Sequence, residues 1–283
     1  MRLSVLDLIS ASAFPGQLNE DAASSSHAAA WVIDGATDLG PPDLLGSSGA
    51  AWLSNEVNTQ FHQTLAGSGP TEAAVEGALA AVQVRFQAEK RREPVDQWEL
   101  PFAAFMMARL GTEHVEFVWL ADCIALVRKR DGTVARVGEA PERFDMEARD
   151  AARLGPLKDG RGKMIAAATP AMDHLRAERN RKNREPDKWL LGVDPEAARH
   201  LDRSLIDPAD CSHILLMTDG LSAYVDKYGL GDDQALFDRA LGKSGLASIL
   251  AAVREIEHAD GDCVQFPRYK ASDDATGILL ALV

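Results

Sequence analysis

Val32-Ile33-Asp34-Gly35, which closes the apolar run of residues 28–34 (AAAWVID), and Ile214-Leu215-Leu216-Met217-Thr218-Asp219-Gly220 share one pattern. In each, a short apolar run stops abruptly at Asp-Gly. A run of that length bounded by a turn signal reads as a strand buried on both faces. A carboxylate at the end of such a strand is poorly solvated and needs a partner. The neighbouring sequence offers no obvious basic partner. Five Asp-Gly pairs occur in all, and Asp131-Gly132, Asp159-Gly160 and Asp260-Gly261 sit among polar residues as ordinary turns. Two further acidic pairs flank predicted strands: Glu20-Asp21 between the first two, and Asp273-Asp274 before the last. Carboxylates gathered at strand ends repel one another unless a divalent cation holds them. Oxygen donors without His or Cys favour Mg²⁺ or Mn²⁺ over zinc.

Outward from these runs, Leu3-Ser4-Val5-Leu6-Asp7-Leu8 alternates as a first strand. Helical periodicity covers 47–66 and 71–92, separated by Gly67-Ser68-Gly69-Pro70, with Thr71 as the N-cap. Strands are predicted at 102–109, 114–121, 123–129 and 133–138, the last two joined by the Asp131-Gly132 hairpin turn. Strand 213–218, helices 232–241 and 245–258, and a final strand at 275–283 complete the pattern. Strands grouped together, with helices in pairs between them, predict an α+β protein of antiparallel sheets covered by helices. Residues 140–200 differ, being rich in Arg, Gly and Pro, and residues 176–188 (RAERNRKNREPDK) concentrate positive charge.

The whole chain of 283 residues carries 30 Lys and Arg against 43 Asp and Glu, a formal charge of −13. That balance argues against nucleic-acid or anionic-membrane binding, both of which need basic fields. No apolar run approaches the roughly 20 residues of a spanning helix, and Asp7 interrupts the only segment resembling a secretory leader. The three cysteines, Cys123, Cys211 and Cys263, form no metal or redox motif and fit a reducing, cytoplasmic setting. The seven histidines fall in no ligand spacing.

Five segments in order resemble the metal-dependent PPM (PP2C-like) Ser/Thr protein phosphatases. They are Asn19-Glu20-Asp21-Ala22, Val32-Ile33-Asp34-Gly35, Leu120-Ala121-Asp122-Cys123, Ile214 to Leu221, and Ser272-Asp273-Asp274-Ala275-Thr276. The resemblance implies a four-layer α-β-β-α sandwich, formed by the whole chain as a single domain, with a flap-like insertion at about 140–200. It implies two Mg²⁺ or Mn²⁺ ions at one end of that sandwich. By the same resemblance Asp34 bridges both ions, with the carbonyl of Gly35 facing one. Asp219 and Asp273 complete the first site, Glu20 and Asp21 approach the second, and Asp122 suits a weaker third. Asp34, Asp219 and Asp273 are thereby the catalytic set.

The implied reaction is hydrolysis of phosphoserine or phosphothreonine in a phosphorylated protein by a bridging, metal-bound water, without a phosphoenzyme. The sequence departs from the family pattern at Gly16, where a phosphate-binding Arg is common, and at Ala36, a His in some relatives. Arg176, Arg179 and Arg181 are the candidates to replace that Arg, because guanidinium is the natural bidentate phosphate ligand. A small-molecule phosphomonoesterase of the same fold, or a pseudophosphatase acting as a binding module, remains the alternative.

Overall fold

The computed structural model describes residues 1–67, 69–141, 144–157 and 169–283. Ser68 of the predicted break, the Asp159-Gly160 pair and part of the 140–200 stretch lie outside the described residues. The strands are β1 (Leu3–Ala11), β2 (Ala22–Ser25), β3 (Ala29–Gly35), β4 (Ala103–Leu110), β5 (Val115–Leu120), β6 (Ile124–Lys129), β7 (Val134–Val137), β8 (Asp202–Ile206), β9 (Cys211–Met217) and β10 (Ala275–Leu282). The helices are α1 (Gly49–Thr64), α2 (Thr71–Glu89), α3 (Phe144–Leu154), α4 (Thr169–Arg181), α5 (Asp219–Asp226), α6 (Asp233–Ala240) and α7 (Gly245–Ala259).

Successive side chains of a strand point to opposite faces, so a continuous apolar run serves two cores at once. In β3, Trp31 and Ile33 pack among helices while Ala30 and Val32 meet the facing sheet. In β9, Leu215 and Met217 turn to a second helical layer, and Ile214 and Leu216 turn to the space between the sheets. Two antiparallel five-stranded sheets result, ordered β1-β10-β9-β6-β7 and β2-β3-β4-β5-β8. Helices α1 and α2 cover the second sheet through Leu53, Val57, Phe61, Val75, Leu79 and Val82. Helices α5, α6 and α7 cover the first through Leu221, Phe237, Ile249 and Val253. This is the predicted four-layer α-β-β-α sandwich.

Differences from the sequence reading fall on short or peripheral elements. Strands β2 and β8 were not predicted, and both lie at edges of their sheet. Helices α3, α4 and α5 were not predicted either. Thr71 is the first residue of α2 and not its cap; Pro70 precedes it, and the Thr71 hydroxyl donates to Glu116. The predicted hairpin holds: Gly132 adopts φ 92°, and the amide of Thr133 donates to Asp131 at 2.9 Å.

Antiparallel pairing decides where the acids go. β3, β5 and β9 end, and β2 and β10 begin, at one end of the sandwich, as the pairs Ala22–Ile33, Phe105–Leu120 and Met217–Gly277 show. Among the described residues no helix is long and apolar enough to cross a membrane.

Trp31 anchors the layer between α1 and β3. It is wholly buried, meets Phe61 edge-on at 5.7 Å between ring centroids, and donates from Nε1 to Asn58 at 2.8 Å. Trp31→Ala is expected to destabilise the protein by about 3–5 kcal/mol, read as a lowered urea midpoint; a loss below about 1 kcal/mol would show that this layer does not depend on Trp31.

Candidate active site

Asp34 is the penultimate residue of β3, Asp21 immediately precedes β2, and Asp122 follows β5. Asp219 opens α5 directly beyond β9, and Asp273 lies two residues before β10. The fold brings these five, which are far apart in the chain, within electrostatic reach of one another. Burial raises the Asp34 carboxyl well above the usual carboxylate range, and Asp21, Asp219, Asp273 and Asp122 push it further in the same direction. Burial and then Asp274 raise Asp21. Burial and then Asp219 push Asp122 up to about 6. Asp21 is 6% exposed; its Oδ2 accepts from the Thr218 hydroxyl at 2.9 Å, and its Oδ1 has no hydrogen-bond partner.

Close backbone packing shapes this end of the sandwich. A Cβ on Gly35 would collide with the carbonyl oxygen of Glu20 and come within 2.9 Å of Ser54 Oγ, and one on Gly220 would collide with the carbonyl oxygen of Asp274. Both Asp-Gly pairs therefore need glycine for space. Ala121, before Asp122, holds φ 63°, a left-handed conformation normally left to glycine. Glu20 stands behind the cleft wall, where its carboxylate accepts from Thr37 Oγ1 and Ser48 Oγ, each at 2.6 Å. Asp274 ties loops together, accepting from the amides of Ala13 at 2.7 Å and Glu20 at 2.6 Å.

Two cations that the sequence reading missed stand among the acids. Lys227 Nζ lies 2.7 Å from Asp219 Oδ2, and Lys270 Nζ lies 2.6 Å from Asp273 Oδ1. Burial alone would raise Asp219, yet Lys227 outweighs it and holds that carboxyl below its ordinary value. Contrary to the expectation from sequence, both partners are close in the chain: Lys227 follows Asp219 along α5, and Lys270 precedes Asp273 by three residues. A Lys so near each singled-out Asp was a signal the sequence contained.

Asp34, Asp122, Asp219 and Asp273 floor a cleft of about 430 Å³ whose lining also includes Thr37, Glu147, His174, Arg179 and Lys270, with an apolar wall at Leu39, Met172, Leu175 and Leu190. The basic run does more than cover a helix. Arg176 stacks on Trp98, its guanidinium carbon 4.2 Å from the ring centroid, and donates to the Leu39 carbonyl at 2.6 and 2.9 Å. Arg179 donates to the Thr37 carbonyl at 2.8 Å. Together they bolt α4 to the loop after β3. Arg181 pairs instead with Glu178 and Glu185 and does not line the cleft. Cys123 is buried, and burial followed by the nearby carboxylates pushes its thiol well up, so it is no nucleophile. Asp260, read as a turn residue, is buried: it accepts from the amides of Val264, Gln265 and Phe266 and pairs with Arg268.

The donor set suits a hard divalent cation in kind: oxygen ligands, excess negative charge and one buried, unpartnered carboxylate oxygen. Among the described residues no three carboxylate, imidazole or thiolate groups are already gathered as a ligand shell.

A two-sheet sandwich with an acidic cleft at its strand ends defines the class, and the chain belongs to the protein phosphatase 2C family, whose model matches residues 13–256. Among solved structures it is similar to the serine/threonine phosphatase PstP/Ppp of Mycobacterium tuberculosis, with 14% identity, 100% of this chain and 99% of that chain covered, and TM-score 0.59. A structure of the PstP catalytic domain in complex with two manganese ions is similar over the same shares, at 14% identity and TM-score 0.57. The phosphatase Stp1 of Staphylococcus aureus matches at 12% identity, covering 99% of this chain and 96% of that chain, with TM-score 0.55. No curated protein sequence matches the chain.

The raised acids make a prediction for the metal-free protein. A carboxyl whose folded pKa exceeds its unfolded value stabilises the fold while protonated and loses that contribution as pH rises through the folded value. In EDTA at pH 8, Asp34→Asn is therefore expected to raise Tm by a few degrees, about 2–4 °C per kcal/mol relieved. The gain should shrink towards pH 5, and a Tm lowered at both pH values would contradict this account.

Proposed function

We propose that this protein is a Mg²⁺- or Mn²⁺-dependent phosphatase acting on phosphoserine and phosphothreonine in proteins. The observation that carries the reading is the meeting of Asp34, Asp122, Asp219 and Asp273 at the floor of one open cleft, with Asp21 buried within their field, in a protein phosphatase 2C chain. Asp34, Asp219 and Asp273 with the Gly35 carbonyl, joined by Asp21, would hold two divalent ions, and Asp122 a third. Glu20 would act from behind, through Thr37 and Ser48. When bound, such ions supply Lewis acidity that polarises a phosphoryl group and acidifies water.

The chain's own residues do the rest. The carboxylates accept protons and orient water at the cleft floor. Asp21 and Asp34 are held there by burial and by the strand ends, so little reorganisation is needed when charge develops. Among the described cleft-lining residues Thr37 and Tyr269 carry hydroxyls, and that of Thr37 donates to Glu20, which favours direct attack by water over a covalent intermediate. Arg179, which lines the cleft, is the proposed phosphate ligand among the three arginines. Residues α3 and α4, within the flap-like insertion, wall the substrate entrance; the apolar side at Met172 and Leu175 suits a peptide flank.

A second reading, hydrolysis of small phosphomonoesters, is favoured by Gly16, which leaves open space where relatives carry an Arg. Comparing phosphopeptide with para-nitrophenyl phosphate turnover separates the two. Phosphopeptide hydrolysis is expected to require Mg²⁺ or Mn²⁺ and to vanish in EDTA. Loss of Asp34 should remove several kcal/mol of transition-state stabilisation, roughly a thousandfold in rate; Asp34→Ala with wild-type turnover would sink the mechanism. Arg179→Ala is expected to raise KM for phosphopeptide about tenfold, the scale of one charge-assisted contact, whereas Arg181→Ala should leave it unchanged. The reverse order would return the phosphate ligand to Arg181.

A further inference from the structure

The two halves of the acidic floor are not neutralised alike. On one side Asp219 holds the Lys227 ammonium and Asp273 holds that of Lys270, at 2.7 and 2.6 Å. Both lysine side chains are largely covered, at 17% and 25% exposure, so these pairs are not the screened contacts of an open surface. Lys227 is attracted by Asp219, Glu147 and Asp273, and Lys270 by Asp273, Glu20 and Asp219; burial opposes the charge on each, and the carboxylates override it. On the other side, the leading charges on Asp34 are carboxylates, and Asp21 is buried with one oxygen unpartnered.

We infer that Lys227 and Lys270 are resident counter-ions for the Asp219–Asp273 half of the cleft, so that divalent cations load it unequally. A first ion enters on the Asp21 and Asp34 side, where the strongest neighbouring charges are carboxylates. A second reaches Asp219 and Asp273 only by displacing an ammonium group. This rests on the metal-dependent reading above and adds to it the order of filling and the residues that set it.

Charge arithmetic supports the asymmetry. With all five aspartates ionised, the two ammonium groups leave a formal −3 at the floor. One divalent ion reduces that to −1, and a second would carry it to +1 while both lysines stay in place. Displacement has somewhere to lead: Glu147 at the mouth of the cleft already attracts both lysines. A flexible four-carbon stem lets an ammonium change partners without moving the backbone.

The test is isothermal titration calorimetry of the full chain with MnCl₂, without substrate, on wild type, Lys227→Met, Lys270→Met and Asp34→Asn. Wild type is expected to bind one ion tightly and a second at least tenfold more weakly. Either Met variant should tighten the second site about tenfold or more, the scale of one competing charge removed. Lys270→Arg should retain the weak second site, and Asp34→Asn should lose the tight first one. Should Lys227→Met not fold, Lys270→Met and Lys270→Arg decide the matter, because Lys270 opens onto the cleft. Met variants with wild-type or weaker second-site affinity would overturn the inference while leaving metal dependence intact. No Mn²⁺ heat with any folded variant would overturn both.

Discussion

Mutual repulsion of carboxylates at one end of a β-sandwich is the constraint on which the site depends. Five aspartates meet where strands of both sheets begin or end, in surroundings too buried for water to screen them well. The sandwich tolerates this because its stability comes from elsewhere: three apolar clusters, one between the sheets and one on each outer face. Charge placed at the edge of so large a core is affordable in a way it would not be in a small domain. The counter-charge is partly internal, from Lys227 and Lys270.

The same packing explains why the acids carry glycines beside them. Gly35 and Gly220 lie against the carbonyl oxygens of Glu20 and Asp274, so each Asp is fixed by a backbone contact that no side chain could share. Asp274, next to Asp273, supports the site by gathering the amides of Ala13 and Glu20. The arginines of α4 work similarly at the entrance: Arg176 and Arg179 spend hydrogen bonds on the carbonyls of Leu39 and Thr37, joining the helix to the loop that leaves Asp34. Adjacent residues in this protein thus divide between holding the architecture and facing the cleft.

What could be read in advance follows burial. β3, β9 and β10 stood out because they are sandwiched between two cores, which demands an unbroken apolar run. β2 and β8 did not, because edge strands face solvent along one side and their residues, such as Asp202-Arg203-Ser204, show no such run. α5 was hidden by the Asp-Gly that opens it, a pair that elsewhere in the chain, at Asp131-Gly132, does make a turn. Asp260 does sit in the turn read from Asp260-Gly261, and what the sequence did not show is its burial, with Arg268 and three amides closing over it.

Sequence alone pointed to antiparallel sheets covered by helices and to acids at the ends of buried runs, because strand periodicity and an Asp closing such a run are local facts; the four-layer sandwich was implied by the family resemblance. Tertiary structure alone decided how those acids are shared: which one lacks a partner, which two hold lysines, and which arginine reaches the cleft. The physical reason is that burial and charge compensation depend on neighbours brought in by strand pairing. Pairing between β9 and β10, and between β2 and β3, is what sets Asp21 beside Thr218 and places Asp34, Asp219 and Asp273 in one another's field.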